Sequence, residues 1–220
     1  MISRLHLTPI VLLIGAAWLV LLIIDGVAVE LRWLSHLTTV VPILLVLLGV
    51  FDNWLWKAPW LNGWFTNRPV LGGTWEVSLQ TEWLDPKTGK PPGSITCYMA
   101  VRQTFSSLSM RLMTPESASW LIAHNIVRSN DGIFQVAGVY MNRPNLRLRG
   151  ERSEIHYGAM LLDVQGQPPT ALEGHYWTDR HTRGTMRFTR RKAKSFATYE
   201  EARSAFAEAP STDLPAKGGA

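Results

Sequence analysis

Two patterns of hydrophobic residues divide this chain. Residues 10–24 and residues 37–51 form two apolar runs without a charged side chain, and further apolar residues flank both runs. Each run with its flanks approaches the roughly 20 residues that cross the hydrocarbon core of a bilayer. A short polar hinge that contains Asp25, Glu30 and Arg32 joins the two runs. The pattern predicts a transmembrane anchor of two antiparallel helices over residues 1–66.

Residues that flank the apolar runs predict how such an anchor lies in a membrane. Arg4 precedes the first run, and Lys57 and Arg68 follow the second, so the positive-inside rule places both termini in the cytoplasm. A cleaved signal peptide is the main alternative for the first run, but Asp25 is badly placed for a small-residue cleavage site. Four tryptophans follow the second run, and their amphipathic rings favour the headgroup region of a bilayer: Trp54, Trp56, Trp60 and Trp64.

The hydrophobic period changes to two after about residue 67. Trp75, Val77 and Leu79 alternate with polar residues, as in a strand with one buried face. Asp131-Gly132 between two alternating segments is a strong hairpin signal. The pattern predicts strands near residues 74–80, 95–102, 108–112, 118–128, 133–141, 155–164, 171–178 and 184–190.

Regular turn spacing with almost no helical period indicates an all-β domain, either a sandwich or a closed barrel. The hairpin order makes an antiparallel up-and-down meander the simplest wiring, and closure removes exposed strand edges. We therefore predict an eight-stranded β-barrel over residues 67–194, with room inside for side chains or one small ligand. The segment Thr198-Tyr199-Glu200-Glu201 has capping-box spacing, so residues 195–220 are predicted to form a short helix to about Ala207 and a disordered tail.

The composition adds few constraints on the chemistry. The formal net charge of +5 suits either anionic lipid or an anionic ligand. Cys97 is the single cysteine, so no intrachain disulfide is possible. No P-loop, dinucleotide fingerprint or nucleophile elbow occurs, and the histidines are scattered. The sequence thus predicts no enzymatic activity, no metal site and no cofactor.

Three features along the chain resemble a known bacterial family. The apolar hairpin comes first, and Gly73-Thr74-Trp75 then opens the first strand. The segments 173–180 (EGHYWTDR) and 184–188 (GTMRF) close the domain. This order resembles the two-transmembrane, β-strand-rich membrane effectors of cyclic-oligonucleotide antiphage signalling (CBASS), which carry a minimal β-barrel.

The resemblance implies a fold, a function and partners. It implies a lipocalin-like cytoplasmic barrel that binds a cyclic dinucleotide, which a partner nucleotidyltransferase makes during phage infection. We expect no nucleic acid among the partners. Ligand binding then promotes homo-oligomerisation, and the anchors disrupt the bacterial inner membrane, which leads to abortive infection.

A cyclic dinucleotide carries two phosphates and two flat bases, so its binding site needs hydrogen-bond donors and aromatic faces. Tyr176 and Thr178 share one strand parity and are predicted to point into the barrel, with Arg180 at the rim. An arginine on a strand is more often a solvated residue of the outer face. The predicted ligand-binding set assigns stacking to Tyr176, a hydroxyl contact to Thr178 and phosphate binding to Arg180 and Arg187, and it is completed by Arg102 and Tyr140.

Two other functions fit the same pattern. One is a membrane-tethered, lipocalin-like carrier or sensor of an apolar small molecule, which predicts an interior of Val, Leu, Met and Phe without a buried arginine. The other is a scaffolding module with a barrel filled by side chains. A constitutive channel is disfavoured, because the two apolar runs contain no polar residues to line a pore apart from Thr38 and Thr39.

Overall fold

The computed structural model describes residues 15–16, 19–20, 23–24, 32–85, 88–145 and 154–208. The chain divides into two compact units, Met1–Phe51 and Asp52–Ala220, so the predicted boundary at residue 66 lies within the second unit. Helix α1, Arg32–Asn53, carries Pro42 inside it. Most of the first apolar run and the end of the tail lie outside the described residues.

No helix in the described part of the chain is both long and apolar enough to cross a bilayer. The pair of transmembrane helices stays a prediction.

Eight antiparallel strands form the second unit, and they close into a barrel in chain order, which confirms the predicted up-and-down meander. Each strand pairs with its neighbour in the sequence, and β1 pairs with β8 to complete the ring. The strands are β1 Gly73–Thr81, β2 Ile95–Gln103, β3 Leu108–Met113, β4 Ser117–Arg128, β5 Phe134–Pro144, β6 His156–Gln165, β7 Ala171–Thr178 and β8 Arg183–Lys192.

Alternation along the strands builds the core of the barrel. Trp75 and Val77 of β1 point inward and are fully buried, as are Val136 of β5 and Phe188 of β8. The predicted hairpin between β4 and β5 is present, with Gly132 at a φ of +90°, a conformation that side chains disfavour. Two-residue periodicity therefore determines which side chains fill the interior.

One end of the barrel is closed by packed side chains and by hydrogen bonds to the segment before β1. The Gln103 side chain accepts from the Leu71 amide at 2.7 Å and donates to the Pro69 carbonyl at 2.9 Å. The Trp75 indole N–H donates to the Leu71 carbonyl at 2.9 Å. The Arg191 guanidinium lies 5.3 Å from the centre of the Trp75 ring and donates to the Gly72 carbonyl. Buried polar groups at this closed end are thus satisfied by one another.

A C-terminal helix packs on the outside of the barrel. Helix α2, Tyr199–Ala207, begins at Thr198, whose hydroxyl accepts from the Glu201 amide, so the predicted capping residue is confirmed. The Glu201 carboxylate accepts from the Ala197 amide at 3.0 Å. Across the interface, a second apolar cluster combines α2 with outward-facing residues of β2 and β3, and it consists of Tyr98, Ala100, Met113, Phe196, Ala202 and Phe206.

The four tryptophans after the second apolar run do not share one environment. Trp56 is 1% exposed and lies near Phe105, whereas Trp54, Trp60 and Trp64 are exposed. We call the exposed set Trp54, Leu55, Trp60, Trp64 and Phe65 the aromatic collar.

Candidate functional site

The end of the barrel opposite the closed end opens into a cavity of about 1080 Å³. It lies where β1, β3, β5 and β7 end and where β2, β4, β6 and β8 begin. Pockets that enclose small molecules commonly measure roughly 300–1,000 Å³, so this cavity is large enough for a ligand of nucleotide size.

The floor of the cavity is apolar and adaptable. Four methionines contribute to it, together with Leu and Ile side chains from neighbouring strands: Met99, Met110, Met160 and Met186. Methionine is flexible and polarisable, so it adjusts to flat or irregular ligand surfaces. Cys97 also lines the floor, and burial raises the pKa of its thiol to about 12. The thiol therefore stays protonated at neutral pH and acts as a small apolar group.

Two tyrosines project into the cavity at positions that glycines keep open. A Cβ atom on Gly158 would clash with the Tyr140 hydroxyl, and one on Gly184 would stand 2.8 Å from the Tyr176 ring. The absence of side chains at these two positions lets both rings lie against the wall. Gly158 pairs directly with Tyr140 across β5 and β6, and Gly184 pairs with Tyr176 across β7 and β8.

Both phenols stay neutral well above physiological pH. Burial raises the pKa of Tyr140, with smaller contributions from Tyr176 and Asp179. Burial also raises the pKa of Tyr176, although a hydrogen bond with Thr81 opposes the shift. Each ring thus offers a flat apolar face and a neutral hydroxyl, the combination that both stacking and hydrogen bonding need.

Neutral hydrogen-bonding groups surround the tyrosines at the upper cavity wall. The Asn142 amide donates to the Ser119 hydroxyl at 2.8 Å and to the Ser117 hydroxyl at 3.1 Å. The Thr178 and Thr182 hydroxyls lie 2.7 Å apart. These side chains hold one another in place, so their remaining hydrogen-bonding capacity is oriented before a ligand arrives.

Charged groups lie at the rim. The Arg180 guanidinium lies 3.2 Å from His156 Nδ1 and donates to the Glu154 carbonyl at 3.3 Å. Asp85 and Glu116 also line the cavity. Among the described lining residues, Arg180 is the arginine and these are the two carboxylates, so the charge at the rim is mixed rather than strongly positive. The described residues contain no group of three or more His, Cys, Asp or Glu that can hold a metal ion.

The structure brings four of the six predicted ligand-binding residues into the cavity wall, and these are Tyr140, Tyr176, Thr178 and Arg180. Arg102 and Arg187 instead point outward, because each follows the polar parity of its strand and is exposed. Arg187 pairs across the sheet with the exposed Glu173. The prediction missed further polar lining residues. Among them, Asn142 shares the parity of Tyr140 on β5, which is the signal that identifies it, and His156 precedes Gly158 at the start of β6.

Comparisons with known proteins agree with this arrangement. No curated protein matches the chain. The family model of the Cap15 cyclic dinucleotide receptor domain matches residues 66–190, which are more than half of the chain and contain almost the whole barrel. This match confirms the resemblance to CBASS effectors, and the chain belongs to the Cap15 family, with its β-barrel as the cyclic dinucleotide receptor domain.

Proposed function

We propose that this chain is a membrane-anchored antiphage effector in which a cyclic dinucleotide, bound in the open end of the barrel, promotes oligomerisation and disruption of the bacterial inner membrane. The observation that carries the proposal is the cavity with two tyrosines and a polar rim inside a receptor domain. A partner nucleotidyltransferase supplies the ligand, and the anchor lies in the inner membrane with both termini in the cytoplasm.

The cavity chemistry suits the parts of such a ligand. Tyr140 and Tyr176 offer faces on which bases stack, and removing one stacking ring typically costs about 1–3 kcal/mol of binding energy. Arg180 donates to a phosphate, and the Thr178 hydroxyl contacts the ligand backbone. The Asp85 and Glu116 carboxylates are acceptors and repel phosphate, so they suit N–H donors on the edges of the bases.

The membrane anchor is supported by the amino-terminal sequence. The uncharged runs 10–24 and 37–51 have the composition of bilayer-spanning helices, and described side chains of the second run, such as Leu45 and Leu47, are exposed. The aromatic collar follows immediately, and exposed tryptophans next to an apolar run favour the headgroup region.

Activation is a shift of population between separate and assembled copies. The ligand drives it only by binding the assembly-competent barrel more tightly than the resting one. Clustering then concentrates the anchors in one area of the membrane.

Binding is tested with a matched pair of arginines. Isothermal titration calorimetry of the full chain in detergent with a panel of cyclic dinucleotides should identify a ligand. Arg180→Ala should weaken its binding about 10- to 100-fold, because a charge-assisted hydrogen bond contributes roughly 1.5–3 kcal/mol. Arg187→Ala removes an exposed outward arginine and should leave affinity unchanged. Equal losses in the two variants, or no binding of any cyclic dinucleotide, would contradict the proposed site.

Membrane disruption is tested with the full chain in liposomes that contain a fluorescent dye. Addition of the ligand found by calorimetry should release the dye, and the Arg180→Ala protein should need a correspondingly higher ligand concentration. Tight binding without dye release would refute membrane disruption while leaving the receptor site intact.

The apolar floor supports a second candidate, a carrier or sensor of an apolar small molecule. Met, Leu and Ile side chains dominate the lower cavity, and the lining arginine in the described residues, Arg180, is exposed at the rim. Native mass spectrometry distinguishes the two candidates. Copurified lipid that a cyclic dinucleotide fails to displace would favour the carrier.

A further inference from the structure

One side of the barrel carries an apolar outer surface. Large outward-facing side chains on β4, β5, β6 and β7 are exposed, and Tyr157 and Trp177 are each 50% exposed. We call this surface the β4–β7 wall, and its large apolar members are Trp120, Ile122, Val139, Tyr157, Leu161 and Trp177. Single exposed apolar residues are ordinary, whereas a contiguous group indicates an interaction site.

Strand pairing makes the β4–β7 wall contiguous. Trp120 pairs with Met141, which pairs with Tyr157 on the next strand. Val139 pairs with Ala159, which pairs with Trp177. Directly paired residues on one face of a sheet have Cβ atoms about 4.5–5.5 Å apart, so each row is continuous over three strands, and the two rows together extend from β4 to β7.

The barrel has a second apolar outer surface, and there the chain supplies its own cover. Tyr98, Ala100 and Met113 face outward from β2 and β3, yet all three are buried under Phe196, Ala202 and Phe206 of the C-terminal segment. No described segment covers the β4–β7 wall in the same way. Within the described residues, one apolar outer surface is therefore buried by the C-terminal segment, and the β4–β7 wall is exposed.

Charges at the two ends of the wall indicate what covers it. Asp163 and Glu173 pair directly across β6 and β7, and like charges in such a pair are destabilising. Gln135 donates to Asp163 at 2.8 Å, and Arg187 stands opposite Glu173. Arg143 lies at the other end of the wall, with its guanidinium 5.6 Å from the centre of the Trp120 ring.

We infer that the β4–β7 wall binds the same wall of a second copy of this chain. The two copies are related by a two-fold axis that lies in the interface and crosses the strands at Val139. Each strand of the wall then faces the same strand of the second copy, which runs in the opposite direction. Val139 then faces Val139 of the second copy, and Tyr157 faces its Leu161. Arg143 faces Gln135 and Asp163 of the second copy, which brings a cation to the paired carboxylates. A lipid surface fits less well, because anionic headgroups repel those carboxylates.

Disulfide crosslinking tests this geometry in the full chain in detergent, with and without the cyclic dinucleotide. Cys97 is buried, so the wild-type chain should give no disulfide-linked dimer on mild oxidation. Val139→Cys should give mostly dimer in at least one of the two conditions. Gln80→Cys places a thiol at an exposed position on the outer face of β1, away from the wall, and is the matched control. Failure of Val139→Cys to crosslink in both conditions, or equal crosslinking of Gln80→Cys, would overturn the inference.

Charge reversal provides a second and independent measurement. Arg143→Glu should weaken self-association at least tenfold, because the two-fold axis repeats the contact with Asp163 and the loss of about 1.4 kcal/mol already corresponds to tenfold. The double variant Arg143→Glu/Asp163→Arg should regain most of that affinity, which a purely structural role of Arg143 does not predict. Analytical ultracentrifugation reads the association, and thermal melting verifies that each variant is folded. Absence of rescue in folded protein would overturn the pairing.

The inference rests on the proposed function and names the surface through which copies assemble. Different experimental outcomes would contradict the inference and the proposed function. Ligand-driven assembly that persists without Val139→Cys crosslinking would overturn the wall and leave the proposed function intact. Crosslinking with no response to any cyclic dinucleotide would support the wall and count against the proposed function.

Discussion

The two ends of the barrel are built from the same eight strands and differ in how their polar groups are satisfied. At the closed end, Gln103 and Trp75 complete their hydrogen bonds with backbone atoms of residues 69–71 inside a packed core. At the open end, Asn142 bonds to two serines that face a cavity of about 1080 Å³. Polar groups inside the barrel therefore complete the packing at one end, and at the other end they face a cavity that can hold a ligand.

Substitution of the central ring at the closed end should have the largest effect. Trp75 is 1% exposed and makes an edge contact with Phe188. Trp75→Ala should lower the free energy of unfolding by about 3–5 kcal/mol, because it removes a large buried side chain and leaves a cavity. Trp177→Ala, on the outer wall, should cost less than about 1 kcal/mol. Urea denaturation measures both, and equal losses would contradict the distinction between packed interior and outer wall.

Removal of a polar side chain should lower the free energy of unfolding more at the closed end than at the open end. Gln103→Ala leaves the buried Leu71 amide and Pro69 carbonyl without their partner and should cost about 1–3 kcal/mol of stability. Asn142→Ala should cost less, because Ser117 and Ser119 line the cavity and can bond to water there. Chemical denaturation at neutral pH compares the variants. A larger loss of stability for Asn142→Ala would contradict the distinction between the two ends.

Alkaline pH should destabilise the barrel through the cavity floor. Burial raises the pKa of Cys97 from 9.0 to about 12, so the folded state holds the proton that the unfolded state releases between these values. The contribution of this thiol to the free energy of unfolding should therefore be constant below pH 9. It should fall by up to about 1.4 kcal/mol per pH unit as the pH rises towards 12.

The Cys97→Ala variant isolates this effect from the other titrating groups. Tyr140 and Tyr176, whose pKa values are also raised, contribute to the fall in both proteins. The difference in unfolding free energy between wild type and Cys97→Ala should shrink between pH 8 and pH 11. A constant difference across that range would show that the thiol does not titrate as its burial requires.

Removal of one hydroxyl at the open end should have the smallest effect. Tyr140→Phe keeps the ring against Gly158, so stability should change by no more than about 0.5 kcal/mol. Affinity for the cyclic dinucleotide should fall by about 0.5–1.5 kcal/mol if the hydroxyl bonds to the ligand. Calorimetry and thermal melting separate the two quantities. A large loss of stability with unchanged affinity would assign Tyr140 to the core.

Much of the fold and part of the site could be predicted, because inward-facing and outward-facing residues alternate within each short strand segment. The alternation of Trp75, Val77 and Leu79, and the Asp131-Gly132 turn, are properties of short segments, and all eight predicted strands are present. The same parity placed Tyr176, Thr178 and Arg180 together. The prediction for Arg102 and Arg187 rests on residue type rather than on parity, and the structure places both on the outer face.

Local sequence patterns are enough to predict the number of strands, their order and the start of helix α2 at Thr198, because each depends on residues a few positions apart. Which end of the barrel is filled and which remains open could not be predicted in this way. That outcome depends on long-range contacts, such as Gln103 with Pro69 and Leu71. The folded barrel likewise buries Tyr98 under α2, whereas Trp177 on the β4–β7 wall is exposed, and the packing of α2 depends on contacts between residues far apart in the chain.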